Sequence, residues 1–251
     1  ASDVYKRQVI DSVHKLCEYK PAYAYLFPEL VEGYDYWGYG DLDLIYGDLR
    51  HFLTEEVLSY EKIFTLGHLT LIKNKEKFNQ MFLKKVDGVD FYRKAFSSTA
   101  NFNFDEKFQD KVNINTIFED NDCKIWKKSY AADIYTKSSD FLLDIGDGTK
   151  EERRDSLFVW NKGNLYRYYD NKSGKIERQE FMYIHLQKRK MINRINSDCD
   201  LYKIIPNSFE YLEVAFNDIE SEFRRIKRKN TNLQYFRIRF KNLKTKIKSI
   251  I

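Results

Sequence analysis

The stretch Tyr36-Trp37-Gly38-Tyr39-Gly40-Asp41-Leu42-Asp43-Leu44-Ile45-Tyr46-Gly47 constrains this chain more than any other. Aromatic and β-branched side chains on both flanks favour extended backbone. Two carboxylates one residue apart are therefore expected where a buried strand ends. Carboxylate oxygens are hard ligands that suit Mg²⁺ or Mn²⁺, and such ions bridge carboxylates to a diphosphate. The pattern alone has two readings, a metal–diphosphate site or an acidic turn at a strand end. Two similar patterns, Asp120-Asn121-Asp122 and Asp198-Cys199-Asp200, lie in polar surroundings and read as solvated turns.

The 251 residues suit one α/β domain with an appendage. A hydrophobic content of 43% with 16% aromatics excludes a disordered chain. Cys17, Cys123 and Cys199 are far apart and form no Cys-x-x-Cys pair. That excludes a disulfide framework or zinc ribbon and fits a reducing cytoplasm. No apolar run approaches the roughly 18 residues of a membrane span. Ala1–Gln8 reads like a translated sequencing adapter and is set aside as a non-native scar. An open α/β nucleotide site needs strands ahead of its switch point. The Asp-x-Asp comes so early that the chain is expected to be a fragment, with a partial domain over residues 9–205.

Lys20-Pro21 opens a helical stretch to about Glu32, divided at Pro28 and stopped at Gly33. Strands are expected at Lys62–Leu66 and Leu69–Ile72, with helices at Lys75–Leu83 and Asn113–Glu119. Ser156–Trp160, Leu165–Tyr169 and Lys175–Leu186 are separated by Asn161-Lys162-Gly163-Asn164 and Lys172-Ser173-Gly174. They read as an antiparallel meander. Over residues 206–251 the apolar positions Phe209, Leu212, Phe216, Ile219, Phe223 and Ile226 recur every three or four residues. The rhythm resumes at Leu233, one residue out of phase. Two amphipathic helices divided at Asn230-Thr231-Asn232 account for it, the second with an apolar stripe opposite a basic face.

Charge is concentrated in this tail. Of the 43 basic residues, eleven lie between Arg224 and Ile251, where no Asp or Glu occurs; the other 32 face 38 acidic residues, so residues 1–223 carry −6. A basic helix with an apolar stripe suits an anionic membrane surface, and a helical pair docked on the domain is the competing reading. No zinc-ligand, RNA-recognition or helix-turn-helix pattern accompanies the basic run, so nucleic acid is not an expected partner.

Four separated motifs occur in order: Lys15–Tyr23, Gly40–Arg50, Thr65–Leu71 and Glu180–Arg189. Over residues 9–190 the chain thereby resembles a bacterial family of GT-A-type glycosyltransferases associated with capsular and other surface polysaccharides. The resemblance implies a Rossmann-related mixed sheet flanked by helices. It also implies transfer of a sugar from a nucleotide-sugar to a glycan or lipid-linked acceptor at the cytoplasmic face. Asp41 and Asp43 match the metal-binding Asp-x-Asp, with Mn²⁺ or Mg²⁺ neutralising the departing diphosphate. His185 would complete the metal shell, and Lys188 would meet the diphosphate. The pattern alone favours a strand-end histidine followed by a solvated basic run, Lys188-Arg189-Lys190. Lys20 would face the donor phosphates. Gly67 and His68 would lie close to the sugars, and Asp105 or Glu106 would serve as the base for the acceptor hydroxyl. Helix-start carboxylates favoured by the dipole are the plainer reading of that last pair. The alternative function is a non-catalytic glycan- or partner-binding module with a degenerate transferase fold.

Overall fold

The computed structural model describes residues 13–135, 140–146, 148–152, 155–171, 173–187, 189–229 and 233–248. Ala1–Gln8, Lys188 and Asn230-Thr231-Asn232, which carry three of the expectations above, lie outside them. In chain order the strands are β1 (Tyr36–Gly40), β2 (Leu44–Tyr46), β3 (Lys62–Ile63), β4 (Leu69–Lys73), β5 (Ile125–Trp126), β6 (Ala131–Asp133) and β7 (Ser156–Asn161). They continue with β8 (Asn164–Asp170), β9 (Ile176–Phe181), β10 (Tyr183–His185), β11 (Ile192–Asn193), β12 (Leu201–Ile205) and β13 (Ser208–Tyr211). The chain is α/β with mixed sheets, and it divides into two compact units: Ala1–Leu42 with Leu53–Ser129, and Asp43–Phe52 with Tyr130–Ile251.

The first unit holds a four-stranded sheet in the order β1-β4-β3-β5, antiparallel except for the β3–β5 pair. Trp37, Tyr39 and Ile72 of the sheet bury against Phe78, Phe82, Ile114 and Phe118 of the helical segments. Gly38 stands opposite Leu71, where an added Cβ would lie 2.6 Å from the Thr70 carbonyl oxygen. Small side chains are thus required for β1 to approach β4. The helix Ile114–Asp120 begins where its cap demands: the Asn113 side chain accepts from the Asn115 N–H, and the Thr116 hydroxyl accepts from the Asn113 N–H. The expected helix after Lys20 is three short pieces, Lys20–Ala22, Tyr23–Leu26 and Pro28–Leu30. Pro28 offers no N–H and pushes Phe27 out of helical geometry, so the break falls where proline sets it. A helix at Phe91–Ser97 was not anticipated.

The strand expected at Lys62–Leu66 stops after Ile63, because Phe64 takes a left-handed φ of 70°. Lys62 explains how that bend is held. Its fully buried ammonium donates to the Phe64 carbonyl at 2.5 Å and to Asn115 Oδ1 at 2.7 Å. Burial pulls this amine down to about 7, tempered by the charges of Asp105 and Glu119.

In the second unit the meander forms as read: β7, β8 and β9 pair antiparallel in sequence order. The β7–β8 turn places Lys162 (φ 47°) and Gly163 (φ 90°) in the left-handed region, the geometry that joins twisted hairpin strands. The last expected strand divides at Met182. β9 stays with β8, whereas β10 pairs antiparallel with β2 and parallel with β6 in a separate three-stranded sheet. Gly47 makes that transfer tight: its N–H donates to the Met182 carbonyl, and a Cβ there would stand 2.7 Å from the Phe181 carbonyl oxygen.

One boundary of the tail is corrected. Phe209 belongs to β13, which pairs with β12 around a turn at Asn207 (φ 77°), so residues 206–211 extend the six-stranded sheet and are not helical. Of the apolar pattern only Phe209 lies in this strand, and a single position carries no period that separates strand from helix. The helix Ile219–Lys229 follows a turn at Phe216–Asp218 and buries Ile219, Phe223 and Ile226 against Leu157, Val159 and Tyr168. Lys227 Nζ donates to the Ser156 carbonyl at 2.8 Å, so this helix is docked on the sheet. A second helix, Leu233–Lys248, follows.

Candidate functional site

The Asp-x-Asp lies where the sequence places it, immediately after β1 ends at Gly40 and before β2 begins at Leu44. The partition of the chain falls within it, leaving Asp41 with the first unit and Asp43 with the second. Each carboxylate has its own surroundings.

In the first unit the N–H of Asp41 donates to the His68 carbonyl, which carries the β1–β4 ladder one step further. Its carboxylate accepts from Lys20 Nζ at 2.7 Å. The same buried ammonium donates to the Gly67 carbonyl at 3.0 Å and stands 3.4 Å from Asp105 Oδ2. Burial alone would pull Lys20 down. Its hydrogen bond to Asp41 and the charges of Asp105 and Asp41 outweigh it and hold the amine well above the usual lysine range. Asp105 shows the opposite balance. Burial pushes its carboxyl up to about 7, the nearby Lys20 charge opposes the rise, and Glu106 adds to it. Glu106 accepts from the Gly67 N–H at 3.1 Å. A Cβ on Gly67 would fall 2.5 Å from Asp105 Oδ2, so glycine is what lets the turn and the two carboxylates share this space. Five of the expected site residues, Lys20, Asp41, Gly67, Asp105 and Glu106, are thus brought together, with His68 buried beside them on the same turn.

Glu18, which no sequence signal singled out, fixes Asp105. It is fully buried, and its carboxylate accepts from the backbone N–H groups of Phe102, Asn103 and Phe104 at 2.6, 3.0 and 2.9 Å. From the other side, Thr65 O accepts from the Lys107 N–H and from Asn115 Nδ2. The loop that ends in Asp105-Glu106 is therefore tied at both ends.

In the second unit β10 lies between β2 and β6, with His185 opposite Leu44 on one side and Asp133 on the other. The Leu186 N–H donates to the Asp43 carbonyl at 3.0 Å, which brings that residue to the histidine. His185 Nδ1 lies 2.9 Å from Asp133 Oδ1, and Gln187, itself at a left-handed φ of 54°, donates to the same oxygen at 2.7 Å. A carboxylate only accepts, so the contact with Asp133 is made by a protonated Nδ1. Nε2, on the other side of the ring, lies 3.5 Å from Asp43 Oδ1. Carboxylate oxygen with imidazole nitrogen is a divalent-cation donor set. A carboxylate behind a histidine fixes the ring's orientation, as it does for metal-bound imidazoles. Asp133 and Gln187 were missed. The run Ala131-Ala132-Asp133 has no motif, and only the parallel β6–β10 pairing gives it meaning.

A cavity of about 450 Å³ in the first unit is lined by Tyr23, Phe27, Tyr34, Tyr36 and Trp37 among others. No match was found among curated proteins, and none among solved structures. A family model described as a family of unknown function (DUF6625) matches residues 2–213, most of the sequence, and the chain belongs to that family.

Proposed function

We propose that this chain carries the metal side of a glycosyltransferase that moves a sugar from a nucleotide-sugar to a glycan or lipid-linked acceptor in bacterial polysaccharide synthesis. The observation that carries the reading is His185 Nε2 at 3.5 Å from Asp43 Oδ1, while Asp133 Oδ1 holds the opposite ring nitrogen at 2.9 Å. The mixed α/β architecture and the strand-end position of the Asp-x-Asp support a GT-A-like fold. Mn²⁺ suits the oxygen–nitrogen donor set better than Mg²⁺, whose preference is for all-oxygen ligands. When bound, the cation supplies Lewis-acid neutralisation of the leaving nucleoside diphosphate.

Asp43 and His185 hold the ion, and Asp41, two residues upstream, is the further carboxylate of the motif. Lys20 is the buried cation of its set and holds Asp41 and Asp105 in place; it reaches donor phosphate by exchanging one carboxylate for another anion. Asp105, pushed up to about 7, is matched to taking a proton from an acceptor hydroxyl near neutral pH. Glu106 holds the Gly67 turn against it.

The test uses the chain together with any upstream segment its gene encodes, Mn²⁺ and a panel of nucleotide-sugars. Asp41→Ala and Asp43→Ala abolish donor hydrolysis and transfer; unchanged rates in both variants refute the proposal. The pH profile gives a separate check. Asp105 is protonated below about 7, so kcat/KM falls as pH drops through that value. Asp105→Asn removes this limb along with most of the activity.

A second reading, glycan binding without turnover, draws on the aromatic cavity, whose rings offer apolar faces to a sugar. Calorimetric glycan binding that is indifferent to chelator, with no turnover, selects it.

A further inference from the structure

The helix Leu233–Lys248 differs from its predecessor in what it does with its apolar side chains. Ile219, Phe223 and Ile226 are buried, but Leu233, Phe236, Phe240, Leu243 and Ile247 are 87, 58, 60, 53 and 47% exposed. With 3.6 residues per turn, these five positions fall within an arc of about 80°. On the same wheel Arg237, Lys241 and Lys244 border one edge of the stripe, and Arg239 and Lys246 border the other. The basic positions therefore flank the stripe, where an entirely opposed basic face was expected. No acidic residue lies between Arg224 and Ile251, in a chain whose first 223 residues carry −6.

We propose that Leu233–Lys248 is a membrane-surface helix that lies in the headgroup region of an anionic bilayer. Flanking cations on long stems reach outward to lipid phosphates while the ring and leucine side chains between them enter the acyl boundary. Charge complementarity selects a lipid surface over a neutral one. The five large apolar side chains select it over nucleic acid, which basic residues alone would engage. The helix lies on the surface: among the described residues no helix is long and apolar enough to cross a membrane. The docked helix Ile219–Lys229 ends within a few residues of its start, so the surface helix is tethered to the six-stranded sheet. This inference is independent of the transferase reading.

Flotation of the whole chain with phosphatidylcholine vesicles, and with vesicles containing added phosphatidylglycerol, tests it. Binding to the anionic vesicles is expected to exceed that to neutral ones by about tenfold and to weaken as salt is raised. Phe236→Asp with Phe240→Asp lowers the bound fraction by about tenfold, with the thermal midpoint unchanged because both positions are exposed. Equal binding to neutral and anionic vesicles overturns the proposal. So does anionic binding that charge reversal at Arg237 and Lys244 abolishes but the double Phe variant leaves intact, which is the behaviour of a polyanion site. Loss of a dimer in sedimentation on Phe240→Asp, without vesicle binding by the parent chain, assigns the stripe to a second copy.

Discussion

Glu18→Ala is expected to destabilise the first unit by about 4 kcal/mol, since buried N–H groups deprived of a charged acceptor each cost roughly 1–3 kcal/mol. Three donors depend on this one carboxylate, the backbone N–H groups of Phe102, Asn103 and Phe104. Truncation also leaves a cavity near Lys15, in the short helix Val13–Cys17, whose buried ammonium donates to the Ala95 and Ala100 carbonyls. Glu18→Gln keeps an acceptor oxygen and recovers about half of the loss. Denaturant unfolding followed by tryptophan fluorescence measures both. A loss under about 1 kcal/mol for Glu18→Ala would mean that water replaces the carboxylate without cost, and that Asp105 is placed by other contacts.

The second large effect is on the divalent ion. His185→Ala is expected to weaken Mn²⁺ binding by about 100-fold, because it removes the imidazole donor paired with Asp43. Asp133→Asn is the sharper variant. Its amide can donate to Nδ1 as well as accept, which permits the proton to sit on Nε2, the ring nitrogen 3.5 Å from Asp43, where it would block ligation. A loss of about 10–100-fold is expected, the range for outer-shell partners of metal-bound histidines. Calorimetry, or the electron-spin signal of free Mn²⁺, reads the affinity without any need for turnover. Asp133→Ala with affinity retained would show that the carboxylate is not what sets the tautomer. Asp133 acts through His185 and is a positioning residue.

Local chemistry made much of the fold legible. A helix was expected from Asn113, Lys162-Gly163 marked a hairpin, and Pro28 divided a helix, each at a residue that constrains its own backbone. The strand-end position of Asp41 and Asp43 was legible for the same reason. Sheet membership was not. Lys175–Leu186 is a continuous run of extended chain, and its division at Met182 depends on Gly47 and Tyr130, which are distant in sequence. The strand at Ser208–Tyr211 escaped because four residues carry no period that separates strand from helix. The supports of the site were invisible for a further reason. Glu18 and Asp133 act on backbone or ring nitrogens brought to them by tertiary structure, so nothing adjacent in sequence announces them.

The position of β10 has a consequence for how the proposed metal donors come together. β10 is flanked by β2, from near the start of the chain, and by β6, about fifty residues upstream in sequence, and neither neighbour is a hairpin partner. Such pairings pay loop-closure entropy before any contact rewards them, which makes them late and slow. Asp43 and His185 then meet only when this small sheet closes, after the β7–β8–β9 meander has formed from local turns. In a refolding experiment Mn²⁺ affinity would therefore appear in the slowest phase, behind the recovery of β structure, and serve as a clock for the completion of the second unit.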